Sequence, residues 1–234
     1  MGFTRTKSSI IIKTSVAHVG IALHGAHVFF GPPPSREPYS SLKQHGFARN
    51  TRWSFEGVEE GSDWVEARFS LSSSNGEVGK VFKPAFDCLY KVKICQQSLV
   101  TSLEVTNPSE SSLEFQALLH TYLRLPTQGT PQDVRLGPLK GLSFADKVAQ
   151  GAVAIEDRDT VDFLQGKVDQ VYRDVPSVIE LTVWNPDEAK SNAMADMENE
   201  GWKRFVCIEP GQTSFVSLQP KAVWKGSQEL IAHI

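Results

Sequence analysis

Three short segments carry side chains suited to moving protons or holding a polyol. In Gln44-His45-Gly46-Phe47-Ala48-Arg49-Asn50 an amide, an imidazole and a guanidinium surround a glycine, in what reads as a loop entering a strand. Loops held by a rigid sheet are favoured places for binding groups. His120-Thr121-Tyr122-Leu123-Arg124 closes an apolar run, and strand alternation puts His120, Tyr122 and Arg124 on one face. An imidazole gives or takes a proton near neutral pH, and a neighbouring aromatic ring can stack on the apolar face of a sugar. In Val206-Cys207-Ile208-Glu209-Pro210-Gly211 a carboxylate stands at the close of an apolar strand, immediately before a turn. Partial burial near His120 would raise the pKa of Glu209 and suit it to general-base work. Each segment alone also reads as ordinary surface: a turn with a structural histidine, the outer face of an edge strand, a solvated glutamate.

The elements that must hold these groups are strands. Across residues 63–72, Val65, Ala67, Phe69 and Leu71 fall on one face and Glu66, Arg68 and Ser70 on the other, the period of a half-buried strand. Residues 99–106 repeat the pattern, meet the turn cluster Asn107-Pro108-Ser109-Glu110-Ser111-Ser112, and are followed by a second run over 113–125. Together these predict a hairpin. Further runs lie at 178–184, 204–209 and 214–218, Gly31-Pro32-Pro33-Pro34 reads as a rigid loop, and helical periodicity is nearly absent. The pattern predicts an all-β chain, one large antiparallel β-sandwich domain over residues 1–234.

Composition narrows the chemistry. The net charge is −3, with Lys and Arg spread along the chain, so no electrostatic feature points to nucleic acid or an anionic membrane as partner. Cys88, Cys95 and Cys207 form no C-x-x-C pair; an odd number argues against a complete disulfide framework and for a reducing compartment. No run approaches the ~18 apolar residues of a membrane span, and no apolar signal core follows the first basic residues. A cytoplasmic location is the expectation. Metal-ligand signatures such as H-E-x-x-H are missing, as are Walker A, G-x-G-x-x-G and G-x-S-x-G sequences, so neither a metal nor a cofactor is expected.

Taken in order, the segments resemble the glucose-6-phosphate 1-epimerase family, within the aldose 1-epimerase group and its galactose-mutarotase-like fold. The carriers are Gly31-Pro32-Pro33-Pro34, Gln44 to Asn50, His120 to Arg124, Val168-Asp169-Gln170-Val171-Tyr172, Val183-Trp184-Asn185-Pro186 and Cys207-Ile208-Glu209-Pro210-Gly211. The resemblance implies that His120 is the general acid toward the ring oxygen and Glu209 the general base at the anomeric hydroxyl. It also implies that Gln44 and Arg49 bind substrate, that Asp169 holds a sugar hydroxyl, and that His45 is a second active-site histidine orienting the ring; Asp169 taken alone also reads as a turn residue. The implied activity is interconversion of the α and β anomers of glucose 6-phosphate. A monomer whose partner is a small sugar phosphate is expected. Relatives carry an Ile-Arg-Gly-Gly-Ile-Pro segment whose arginine helps bind phosphate. The matching stretch here, Gly20-Ile21-Ala22-Leu23-His24-Gly25-Ala26-His27, has no arginine, and the chain reads as shortened before the Ile10 strand, as an N-terminally truncated product would be, and between Tyr172 and Trp184. Two alternatives therefore stand beside it, an epimerase of unphosphorylated aldoses and a non-catalytic carbohydrate-binding or regulatory protein.

Overall fold

Strand periodicity is realised along most of the chain. The computed structural model describes residues 1–24, 28–30, 37, 39–43, 45–164, 166–176, 179–194 and 197–232, with backbone alone at 28 and 29. Gln44, the Gly31–Pro34 loop and Gly25 to His27 lie outside the described residues. In chain order the strands are β1 (Gly2–Arg5), β2 (Ser9–Lys13), β3 (His18–Ala22), β4 (Val28–Phe30), β5 (Ser54–Glu60), β6 (Val65–Ser72), β7 (Asp87–Ile94), β8 (Ser98–Thr106) and β9 (Leu113–Leu119). They continue as β10 (Tyr122–Arg124), β11 (Arg135–Leu136), β12 (Ser143–Asp146), β13 (Ala152–Ile155), β14 (Val161–Asp162), β15 (Val168–Arg173), β16 (Glu180–Asn185), β17 (Phe205–Leu218) and β18 (Val223–Ile231). Among the described residues the α-helices are two short turns, α1 (Val78–Val81) and α2 (Glu188–Asn192). The chain forms two compact units, residues 1–117 with 214–234, and residues 118–213.

The first unit contains a five-stranded antiparallel sheet in the order β18-β8-β7-β6-β5. On β6 the expected alternation holds: Val65, Ala67, Phe69 and Leu71 are buried, while Arg68 pairs with Glu66 at 2.8 Å on the other face. The predicted hairpin does not form. β8 lies between β7 and β18, and β9 belongs to a different sheet. The cause is Asn107, whose buried Nδ2 donates to Ser111 O at 2.7 Å and Leu218 O at 3.0 Å, while its backbone N–H donates to Ala222 O at 3.0 Å. These bonds tie the turn to the β17–β18 connection, so the chain arches between sheets instead of doubling back. Phe115 of β9 then packs 5.2 Å from Phe30 and edge-on to Trp224 at 5.6 Å, aromatic pairings that add to the area they bury.

The second unit is built on the antiparallel order β13-β12-β15-β16-β17, with β10 paired to the first residues of β17. Its core face carries Tyr172, Leu181, Val183 and Val206, packed with Leu139, Phe144, Val161 and Phe163. A polar group adjoins that core: Tyr172 Oη donates to the buried Glu156 Oε2 at 2.6 Å, and Arg158, reaching in from the surface, grips the same carboxylate with two bonds of 2.8 Å. A buried carboxylate is tolerable only when satisfied in this way. The Arg158 guanidinium, its strongest partner, holds Glu156 down at about 2 despite burial.

β17 corrects a second expectation. Glu209 does not close a strand, because β17 continues through Pro210 and Gly211 for 14 residues. Proline lacks the N–H that a ladder needs. Residues two apart in a strand donate toward the same side, and Ile208 N–H donates to Thr121 O at 3.2 Å. Pro210 therefore turns its donor-less nitrogen to that same side, toward the last residue of β9. The predicted continuous run over 113–125 is interrupted at His120 and Thr121.

Candidate active site

Register places a set of polar and aromatic side chains on the face of the second unit's sheet opposite its core. Asp169 of β15 stands opposite Trp184 of β16, Trp184 opposite Cys207 of β17, and Cys207 opposite Tyr122 of β10. Directly opposed residues point to the same face. Two positions further along β17 the same face shows Glu209, opposite Thr182. Asn185 fixes one end of the row, its Nδ2 donating to Trp202 O at 2.9 Å and Phe205 O at 2.8 Å.

His120 enters from the break between β9 and β10, where its backbone is in neither strand. Its ring stacks on Tyr122 at 4.7 Å, with planes 14° apart, and meets Trp184 edge-on at 5.9 Å. The imidazole is thus clamped on two sides, and its Nε2 lies 3.1 Å from Glu209 Oε1. This is hydrogen-bonding reach. Both side chains are buried, 9% and 4% exposed. Desolvation pushes the Glu209 carboxyl up to about 8; Lys147 pulls it down and Asp169 adds to the rise. Burial also holds the Cys207 thiol far above its ordinary range, with the Glu209 charge adding to the effect.

Asp169 lies on the same face, its side chain only 15% exposed, with Lys147 Nζ 3.8 Å from Oδ1 and Lys190 Nζ 3.7 Å from Oδ2. Two separate elements deliver these lysines. Lys147 follows β12, and its backbone N–H donates to Asp169 O at 2.8 Å; Lys190 sits on α2, whose first turn is capped by Asp187 Oδ1 accepting from Lys190 N–H at 2.6 Å. Such an N-cap is what makes so short a helix hold its place.

Of the six residues expected at the site, the structure brings together His120 and Glu209 and puts Asp169 on the same face. His45 and Arg49 belong to the first unit. There, His45 takes φ 65°, the left-handed region, and the next residue, Gly46, donates its N–H to Lys43 O at 3.0 Å. A non-glycine residue in that conformation is uncommon and concentrates at functional sites. Arg49 is exposed, in the single turn Ala48–Asn50. Gln44 lies outside the described residues. Sequence reasoning gave no role to Thr182, Lys147 or Lys190; the strand register is the signal that finds Thr182.

One grouping among the described residues could take a metal ion: donor atoms of His120, Cys207 and Glu209 lie within 4.8 Å of one another. Among the same residues no helix is long and apolar enough to cross a membrane.

A family model described as aldose 1-epimerase matches residues 23–179, more than half of the chain. The chain belongs to the aldose 1-epimerase family. The matched stretch includes His120 and Asp169, while Glu209 lies beyond it. Curated relatives provisionally named glucose-6-phosphate 1-epimerase include one from Escherichia coli, 27% identical over 220 residues, covering 83% of this chain and 69% of that one. Another, from Cenchrus ciliaris, is 25% identical over 226 residues, covering 85% and 68%. Solved structures similar in fold include a provisionally named mutarotase from Salmonella typhimurium, with TM-score 0.81, 20% identity and coverage of 97% of this chain and 91% of that one. A galactose mutarotase-like protein from Clostridium acetobutylicum has TM-score 0.71, 13% identity and coverage of 96% and 95%. The galactose-mutarotase-like fold expected from the motifs is the fold of this aldose 1-epimerase family member.

Proposed function

We propose that this chain interconverts the α and β anomers of glucose 6-phosphate, with Glu209 as base and His120 as acid. The observation that carries the proposal is the buried pair itself, His120 Nε2 3.1 Å from Glu209 Oε1. Ring opening requires the anomeric hydroxyl to lose a proton as the ring oxygen gains one. Glu209, ionised, takes the first; His120, protonated at the nitrogen that now faces Glu209, gives the second. The C1–ring-oxygen bond breaks, an open-chain aldehyde forms and rotation about C1–C2 exposes the other face; as the ring closes, Glu209 gives its proton to the aldehyde oxygen and His120 recovers its own from the ring-forming hydroxyl. No atom is gained or lost, and each residue ends as it began. A carboxyl raised to about 8 is matched to work near neutral pH, where a base must be strong enough to accept yet partly ionised.

Asp169, on the same face, is assigned to a sugar hydroxyl, and Gln44, His45 and Arg49 to the remainder of the sugar phosphate. The names of the curated relatives support the phosphorylated substrate. The arginine-free stretch from Gly20 to His27 favours a second reading, an epimerase of unphosphorylated aldoses. The test is anomer exchange followed by saturation-transfer NMR in the presence of a chelator, with glucose 6-phosphate and glucose compared. Acceleration that His120→Ala removes, and that is faster with the phosphate ester, is the expected result. Acceleration with glucose alone would replace the phosphorylated substrate, and no acceleration with either would end the catalytic reading.

A further inference from the structure

Thr182 is an anomaly on the site face. Its side chain is buried, 6% exposed, and Oγ1 makes no hydrogen bond among the described residues. Buried hydroxyls are almost always paired, and each exception needs a reason. Valine would fill the same space with no hydroxyl to satisfy.

The position supplies the reason. Thr182 stands directly opposite Glu209 in the β16–β17 ladder, which sets their Cβ atoms ~4.5–5.5 Å apart. A turn about χ1 between staggered wells redirects Oγ1 by roughly 2 Å and can aim it toward that carboxylate. Glu209 has need of such a donor. In the structure its Oε1 faces His120 Nε2, but a His120 proton aimed at a sugar's ring oxygen is no longer available to Glu209. The charged and titratable groups facing Glu209 are then His120 from the β9–β10 break, Cys207 from its own strand, Asp169 from β15 and Lys147 from the β12–β13 connection. Cys207 and Asp169 do not stabilise a negative charge, and Lys147 is drawn to Asp169. An ionised buried carboxylate needs donors at both oxygens, and the anomeric hydroxyl serves only one.

We propose that Thr182 is a positioning residue for the acid–base pair, its hydroxyl donating to the Glu209 carboxylate while that group is ionised and His120 is turned to the substrate. Its catalytic consequence rests on the epimerase reading; the hydrogen bond itself does not. The hydroxyl would keep a fraction of Glu209 in the basic form that takes the anomeric proton, and would aim the carboxylate while the His120 proton is committed to the ring oxygen.

The experiment titrates Glu209 by ¹³C-carboxyl NMR in the full chain, assigning its signal by its disappearance in Glu209→Gln, for wild type, Thr182→Val and Thr182→Ser. Loss of one donor to the charged form should move the Thr182→Val midpoint upward by about one pH unit, a tenfold change in the ionisation constant. Thr182→Ser, which keeps the hydroxyl, should titrate as wild type does. The acid limb of the pH–rate profile for anomer exchange should move with the midpoint. A Thr182→Val midpoint that matches wild type overturns the proposal, as does an equal shift in both variants. A wild type that titrates as expected but accelerates no exchange sinks the epimerase reading and leaves the hydrogen bond standing. Thr182→Val deletes only an unpaired buried hydroxyl, so folding is expected to survive it; circular dichroism of each variant checks this.

Discussion

Glu209→Gln should make the protein more stable while removing its activity. The Glu209 carboxyl is 4% exposed and its pKa rises from 4.5 to about 8, chiefly through desolvation. In the unfolded chain the group ionises near its ordinary value. Between these limits the unfolded state has lost a proton that the folded state retains, so folding is penalised. The contribution of the protonated group to stability is complete below about pH 4.5 and is lost as pH rises through about 8. At one pKa unit per 1.36 kcal/mol, the penalty is on the order of 3 kcal/mol at pH 7 and 5 kcal/mol above pH 8. Glutamine has the same shape and no charge to desolvate. At ~2–4 °C per kcal/mol for a chain of this size, the variant should melt several degrees above wild type at pH 8, with the gap closing toward pH 4. Differential scanning calorimetry from pH 4 to 9 measures the gap. Anomer exchange should fall in the same variant by roughly 10²–10⁴, the usual worth of a general base. A gap that stays constant or narrows as pH rises would refute the desolvation argument.

Two further outcomes follow from the second unit. Arg158→Met leaves the buried Glu156 without its guanidinium and should cost about 2–3 kcal/mol in urea unfolding at pH 7. Because Glu156 is held at about 2 in the folded state, below its unfolded value, the Arg158 contribution is present above about pH 4.5 and fades as pH falls through 2; the two unfolding curves should converge there. Asn185→Ala removes both donors that join the end of β16 to Trp202 and Phe205. It should lose about 2 kcal/mol and shift the tryptophan fluorescence of Trp184, which packs on Phe205 at 5.8 Å; unchanged emission with lowered stability would mean that the row of site residues does not depend on this tie.

Alternation made β6 and β8 legible, because one face of each is buried and the other is wet. Partner choice was not legible. The turn residues from Asn107 to Ser112 say that the chain reverses, yet where it goes depends on carbonyls more than 100 residues later, at Leu218 and Ala222. Pro210-Gly211 reads as a turn by local chemistry, yet β17 runs through both residues, paired to β16 at Leu181 and Glu180. At the site, no spacing rule joins His120 to Glu209 across 88 intervening residues; their pairing came from family resemblance, and the structure supplies the distance. Thr182 lies outside every motif and becomes visible only when register sets it against Glu209.

The gap between β9 and β10 also bears on how such a site can change over evolutionary time. A residue inserted in a continuous strand turns every later side chain to the opposite face, so Glu209, in the middle of β17, is locked to its present position. His120 is mounted where no ladder is in force. Length changes beside it can be absorbed in the gap, and His120, the proposed acid, can be re-aimed toward differently shaped sugars without disturbing Glu209, the proposed base. Diversification of substrate among descendants of this chain should therefore leave its marks around Leu119 to Tyr122, while the segment from Cys207 to Gly211 stays fixed in length.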